Sequence, residues 1–92
     1  MKTIWKFPFK FVDEQSILAP DTAEIKSVGF DPVGNLCVWC EVFDSVIADI
    51  ANQPKKPLRI FVVGTGNPIP EGARTYIDRI NHGAFVWHIY TT

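Results

Sequence analysis

The chain has 92 residues, a formal net charge of −1, 47% hydrophobic and 21% charged residues. That length holds one hydrophobic core and not two, and the composition argues against disorder. Nine basic and ten acidic residues are scattered along it, so overall charge gives no support for duplex DNA binding, and no apolar run is long enough for a membrane-spanning helix. A core this small leaves a thin stability margin, which favours self-association into a homo-oligomer. The opening Met1-Lys2-Thr3-Ile4-Trp5-Lys6 is followed by Lys10 and Asp13. It contains no signal-peptide core, so a soluble cytoplasmic location is expected.

Thr3 to Val12 predicts the clearest strand. Trp5, Phe7, Phe9 and Phe11 recur at period two, with Lys6, Pro8 and Lys10 between them. Pro8 cannot donate a ladder hydrogen bond, which places this strand at an edge. Gln15 to Leu18 predicts a short second strand. Glu24 to Phe30 predicts a third, with Ile25 and Val28 inward. Asp31-Pro32-Val33-Gly34-Asn35 is a turn signal that joins it as a hairpin to a fourth strand, Leu36 to Phe43.

That fourth strand carries Cys37-Val38-Trp39-Cys40. A C-x-x-C suggests a redox pair or half of a zinc site. On a strand, however, residues three apart face opposite ways, with Cα atoms roughly 10 Å apart at about 3.3 Å per residue. A disulfide needs roughly 4.4–6.8 Å, and no second C-x-x-C follows. Ordinary buried thiols are expected, with no metal and no cofactor.

Asp44 to Pro57 reads as a variable loop or one short helix. Val46, Ile47 and Ile50 have helical spacing, Asp44 or Ser45 offers a cap, and Gln53 to Pro57 reads as exposed loop. Leu58 to Val63 predicts a central strand, apolar on both faces except at Arg59. Arg74 to Ile80 predicts another strand. Asn81-His82-Gly83 predicts a turn, and Ala84 to Tyr90 predicts the last strand. The whole chain, 1–92, is therefore expected to be a single all-β domain with room for one short helix. Its expected form is a small antiparallel β-sandwich or barrel of about six to seven strands.

The most distinctive string is Gly64-Thr65-Gly66-Asn67-Pro68-Ile69-Pro70. As a rigid connection, its glycines permit unusual backbone, its prolines stiffen the return, and Ile69 plugs an end of the barrel. As a ligand site, its amides form an anion nest, with Thr65 and Asn67 as side-chain donors. Arg74 just downstream would be the phosphate fork, and His82 would lie at the same end of the sheet. As a protein interface, it presents a stiff loop beside aromatics. No helix follows it, so it is neither a P-loop nor a dinucleotide fingerprint. His82 reads as a turn residue and His88 as a satisfied, half-buried imidazole. Asp13-Glu14 pairs two carboxylates without a partner motif. No recognisable acid–base or metal spacing appears, which favours a binder over an enzyme.

Ile4-Trp5-Lys6-Phe7-Pro8-Phe9-Lys10, Val12-Asp13-Glu14-Gln15, the Gly64-Thr65-Gly66 and Pro68-Ile69-Pro70 strings, and Gly83-Ala84-Phe85-Val86-Trp87-His88 together resemble a family of small bacteriophage-encoded proteins. Two features depart from that pattern: a longer middle at Asp44 to Pro57, and Asn81-His82-Gly83 where Gly-Gly is usual. The resemblance implies a phage protein acting in the host cytoplasm against host defence. Such a protein sequesters a nucleotide immune signal as a non-enzymatic oligomeric sponge, or inhibits a host protein directly. A phage structural or accessory component and a small nucleotide hydrolase are the other implied roles.

Overall fold

A computed structural model of the chain describes residues 1–44 and 49–92. Seven strands form two antiparallel sheets packed face to face: β1 (Lys2–Pro8), β2 (Glu14–Pro20), β3 (Glu24–Phe30), β4 (Leu36–Phe43), β5 (Lys55–Gly64), β6 (Thr75–His82) and β7 (Phe85–Thr91). The first sheet has the order β1-β4-β3, and the second has the order β2-β5-β7-β6. Two separate sheets make a sandwich and not a closed barrel. No helix among the described residues is long and apolar enough to cross a membrane.

Each sheet contributes alternate residues to one core. β4 supplies Leu36, Val38, Cys40 and Val42, and β5 supplies Ile60 and Val62. Ile80 and Ile89 close it from β6 and β7. β1 pairs with β4 alone, so Pro8 sits on an edge strand as its missing N–H requires. β1 stops at Pro8, short of the predicted Val12. The amide of Phe9 still bonds the Leu36 carbonyl at 3.0 Å, after which the chain crosses to the other sheet. Ile25 and Val28 are three apart and would face opposite ways on a regular strand. A register shift between Ile25 and Ser27 rephases β3, so both reach the core.

The β3–β4 turn is organised by Asp31. Its carboxylate accepts the amides of Val33 at 3.1 Å and Asn35 at 2.8 Å, and pairs with Lys6 Nζ at 2.8 Å. The Lys6 ammonium, and next the Asn35 amide, hold the Asp31 carboxyl down at about 2. Gly34 takes φ +89° in that turn.

Between β4 and β5, Ile50–Asn52 forms one 3-10 turn capped by the Asp49 carboxylate. The Asp44 carboxylate accepts the Ile50 amide at 3.3 Å. The predicted helical positions Val46 and Ile47, with the cap candidate Ser45, lie outside the described residues. Gln53 to Pro57 is exposed at Pro54, Lys55 and Pro57, but only Gln53 and Pro54 are loop. Gln53 is buried, accepting the Thr22 amide and donating to the Phe43 carbonyl. Lys55, Lys56 and Pro57 begin β5, opposite Pro20, Ala19 and Leu18 of β2. β7 joins β5 only from Ile60 onward, so Pro57 interrupts no ladder on that side.

β7 is antiparallel to both β5 and β6, so β5 and β6 run in the same direction. Their connection, residues 65–74, must carry the chain back along the sheet. It returns over the outer face. A Cβ on Gly72 would stand 3.0 Å from Phe61 Cζ and 3.5 Å from an Arg59 guanidinium nitrogen. Phe61 and Val63 alternate with core residues yet are only 1% and 5% exposed, so this connection covers the sheet as a second, smaller apolar layer. Ile69 is 56% exposed on it and plugs no end.

Candidate functional site

The residues singled out in the sequence separate into two groups. Gly64 ends β5 opposite Trp87. Thr65 donates its amide to the Val86 carbonyl at 3.3 Å, and Asn67 donates to the Gly64 carbonyl at 3.0 Å. Gly66 completes this tight turn at φ +89°, where glycine is preferred. Arg74 lies elsewhere. Its amide bonds the Thr91 carbonyl, four residues along β7 from Trp87, or about 14 Å away at about 3.4 Å per residue. The topology accounts for that distance, since the intervening connection spans the sheet and does not fold back beside its start.

His82 ends β6, paired with Phe85, and the turn itself is Gly83-Ala84, with Gly83 at φ +63°. The His82 ring stacks on Phe11 at 4.5 Å between centroids and lies 5.7 Å from Phe30. Phe11 is also 6.0 Å from Trp87, and Phe85 is 5.8 Å from Trp87. The β1–β2 crossing, the end of β3 and the β6–β7 hairpin thus bring five rings together at one end of the sandwich. Four are open to solvent: His82 is exposed, and Phe85 is 65%, Phe30 41% and Phe11 36% exposed. A cleft of about 410 Å³ lies beside them, lined by Gly64, Thr65, Asn67, Phe85 and Trp87. A second, of about 250 Å³, reaches Trp87 from Asp13 and Pro68.

Gly64 is needed at this end for close approach. A Cβ there would lie 2.8 Å from the Asn67 amide nitrogen and 3.3 Å from the Trp87 ring. Of the residues the sequence singles out, the Gly64–Asn67 turn and His82 lie at this end. The aromatic cluster was not among the sequence expectations, because Phe11, Phe30 and Phe85 belong to three distant segments. The available signal was that Phe11 continued the β1 pattern beyond Pro8 and Phe85 stood directly after a turn.

The outer face of the same sheet carries a chain of three polar side chains. Tyr76 Oη lies 2.9 Å from His88 Nδ1, and His88 Nε2 lies 2.8 Å from Thr65 Oγ1. Thr65 Oγ1 is also 3.1 Å from the Val86 carbonyl. That carbonyl can only accept, so it takes the threonine proton. The rest follows: His88 Nε2–H donates to Thr65, and Tyr76 donates to His88 Nδ1. Every partner is satisfied, and His88 is held as the sequence suggested.

Both cysteines are buried and unpaired. Cys40 faces the core with Leu36, Val38 and Val42, while Cys37 points out the other side of β4. Burial pushes the Cys40 thiol up to about 11, and burial followed by the Asp31 charge raises Cys37. Neither is an activated nucleophile. Among the described residues, no three His, Cys, Asp or Glu side chains stand together as a metal site.

A larger cleft, about 430 Å³, opens at the opposite end of the sandwich between Ile25, Lys56, Leu58 and Thr75. It has neither stacking surfaces nor an unpaired buried donor. The aromatic end has both, because among the described residues the indole Nε1–H of Trp87 is the buried side-chain nitrogen without a hydrogen-bond partner.

A protein-family model matches residues 1–92, and the chain belongs to that family, described as a domain of unknown function (DUF7352). No curated protein and no solved structure matches the chain.

Proposed function

We propose that this is a non-enzymatic binding protein that takes up a nucleotide at its aromatic end. The observation that carries the proposal is the convergence of exposed Phe11, Phe30 and Phe85 beside the Gly64–Asn67 turn. A nucleobase stacks on such rings, at about 1–3 kcal/mol per base. The turn supplies polar groups for the rest of the ligand. Among the described residues the Gly66 amide donates no hydrogen bond, and Thr65 and Asn67 flank it. Arg74 lies about 14 Å along β7 from the turn and is not part of the proposed site. The resemblance to small phage proteins supplies the setting: sequestration of a nucleotide immune signal in the host cytoplasm, by a homo-oligomer.

The test is a thermal-shift screen of linear, cyclic and ADP-ribose-type nucleotides, with native mass spectrometry and recovery of the ligand after denaturation. A raised Tm, an oligomeric mass and unchanged ligand are expected. Phe85→Ala removes an exposed ring and should leave the fold intact while weakening binding about 5- to 100-fold. Arg74→Ala should leave binding unchanged. A converted ligand would make the protein a hydrolase, and no shift with any nucleotide would end the proposal.

The open edge of β1 favours a second reading, a protein inhibitor that captures a host or phage protein by strand addition. That reading predicts a partner that co-purifies with the wild type and is lost when proline replaces Lys6.

A further inference from the structure

We infer that the indole N–H of Trp87 determines which planar ligands the aromatic end accepts, selecting heterocycles that carry a hydrogen-bond acceptor on their leading edge. This rests on the reading of that end as a ligand site. Stacking alone is indifferent to chemistry at a ring's edge, because every base has a π-face. Discrimination needs a directional group, and Trp87 offers one with no partner in the folded chain.

Three observations combine. First, Trp87 Nε1 is shut off from solvent and makes no hydrogen bond, a state that leaves a desolvation penalty unrecovered. Second, Trp87 cannot readily turn to relieve it. Its Cζ3 packs over the backbone of Gly64, where even a Cβ would come within 3.3 Å. Third, the rings beside it can yield. Phe85 is mostly exposed at the hairpin tip, and Phe11 sits on the β1–β2 crossing. That crossing is anchored on either side. The Phe9 amide bonds Leu36, Lys10 and Gln15 exchange two hydrogen bonds, and the Asp13 carbonyl accepts the Val62 amide. Among the described residues the backbone of Phe11 itself makes none. The ring can therefore swing aside from Trp87 without breaking a ladder, and a flat ligand takes its place against the indole. A ring nitrogen or exocyclic carbonyl on that ligand accepts the Trp87 proton. A hydrocarbon edge there leaves the donor as unsatisfied as before.

The probes are benzimidazole and indole, two bicycles of the same shape that differ in one ring position, an acceptor nitrogen in the first and C–H in the second. Each is titrated into the full chain, followed by 1H–15N spectra of the three indole N–H groups, with Trp87 assigned through Trp87→Phe. Benzimidazole should bind about tenfold more tightly than indole and move the Trp87 proton resonance downfield. In Trp87→Phe, if folded, that preference should vanish. Equal affinity of the two probes in the wild type would overturn the donor role, as would binding that shifts Phe11 and Phe85 signals but leaves the Trp87 N–H in place. Either result would leave the aromatic site itself standing. If neither probe nor any nucleotide bound, the site and the donor role would fall together.

Discussion

Replacing Phe61 by alanine tests whether the β5–β6 connection is a true structural layer. Phe61 points away from the core shared by the two sheets, yet it is 1% exposed. What lies over it is the connection, brought close at Gly72. Truncating a buried phenylalanine costs about 3–5 kcal/mol in transfer and cavity terms. The connection has no ladder of its own and can settle into part of the void, so the lower end, about 3 kcal/mol, is expected. For a domain of this size each kcal/mol moves Tm by about 4–8 °C, giving a loss of about 12–24 °C. Urea unfolding of the wild type and Phe61→Ala, with Phe61→Leu as a milder companion at about 1 kcal/mol, measures the difference. Hydrogen exchange should quicken at the Asn67 and Ala73 amides, which close turns within the connection onto Gly64 and Pro70. A cost below about 1 kcal/mol for Phe61→Ala would show that Phe61 is not covered, and the layered account of the outer face would be wrong.

Asp31 makes stability pH-dependent with a definite sign. Its folded carboxyl is held at about 2, below the usual unfolded value of about 3.9. Its contribution is therefore present above pH 4 and lost as pH falls toward 2. Asp31→Asn should flatten the fall of the urea midpoint across that window, and parallel curves for the two proteins would count against the Lys6–Asp31 pair. Thiol labelling at pH 8 should be slow in the native protein and reveal two cysteines in guanidinium. Rapid native labelling of either cysteine would contradict the burial of both. Gly66→Ala places a Cβ in open space but at φ +89°, so it should cost about 1–2 kcal/mol from backbone strain alone. A neutral result in urea unfolding would mean that the turn has another conformation.

The strands that the sequence delivered best are those whose ends are marked by local chemistry. β3 and β4 match their predicted spans because Asp31 to Asn35 builds its own turn, through hydrogen bonds within five residues. Period-two patterning overran β1, since an aromatic at every second position looks the same whether it continues a strand, as Phe7 does, or lies on the crossing between sheets, as Phe11 does. Lys55 to Pro57 looked like loop because polar and proline residues are tolerated where a strand is paired on one side only. The candidate site divided for a different reason. Arg74 is ten residues from Gly64 in sequence, and nothing local reveals that β7 slots between β5 and β6. Strand order is a property of non-local pairing, and it decides which end of a sheet each loop occupies. The meeting of the three outlying rings at the aromatic end is hidden on the same ground.

That inserted strand also bears on how the chain folds. β5 and β6 never touch as a ladder; β5 is bonded to β2 and β7, and β6 to β7 alone. Before β7 is in place, the β2–β5 pair and β6 are separate pieces, and the connection over Phe61 has nothing to hold its far end. Docking of the β6–β7 hairpin onto β5 therefore commits three things in one step: the second sheet, the outer layer, and the apposition of Trp87 to Gly64. Closing contacts between distant segments of chain is slow. The aromatic end should thus be among the last parts of the molecule to form, and the first to report that folding is complete.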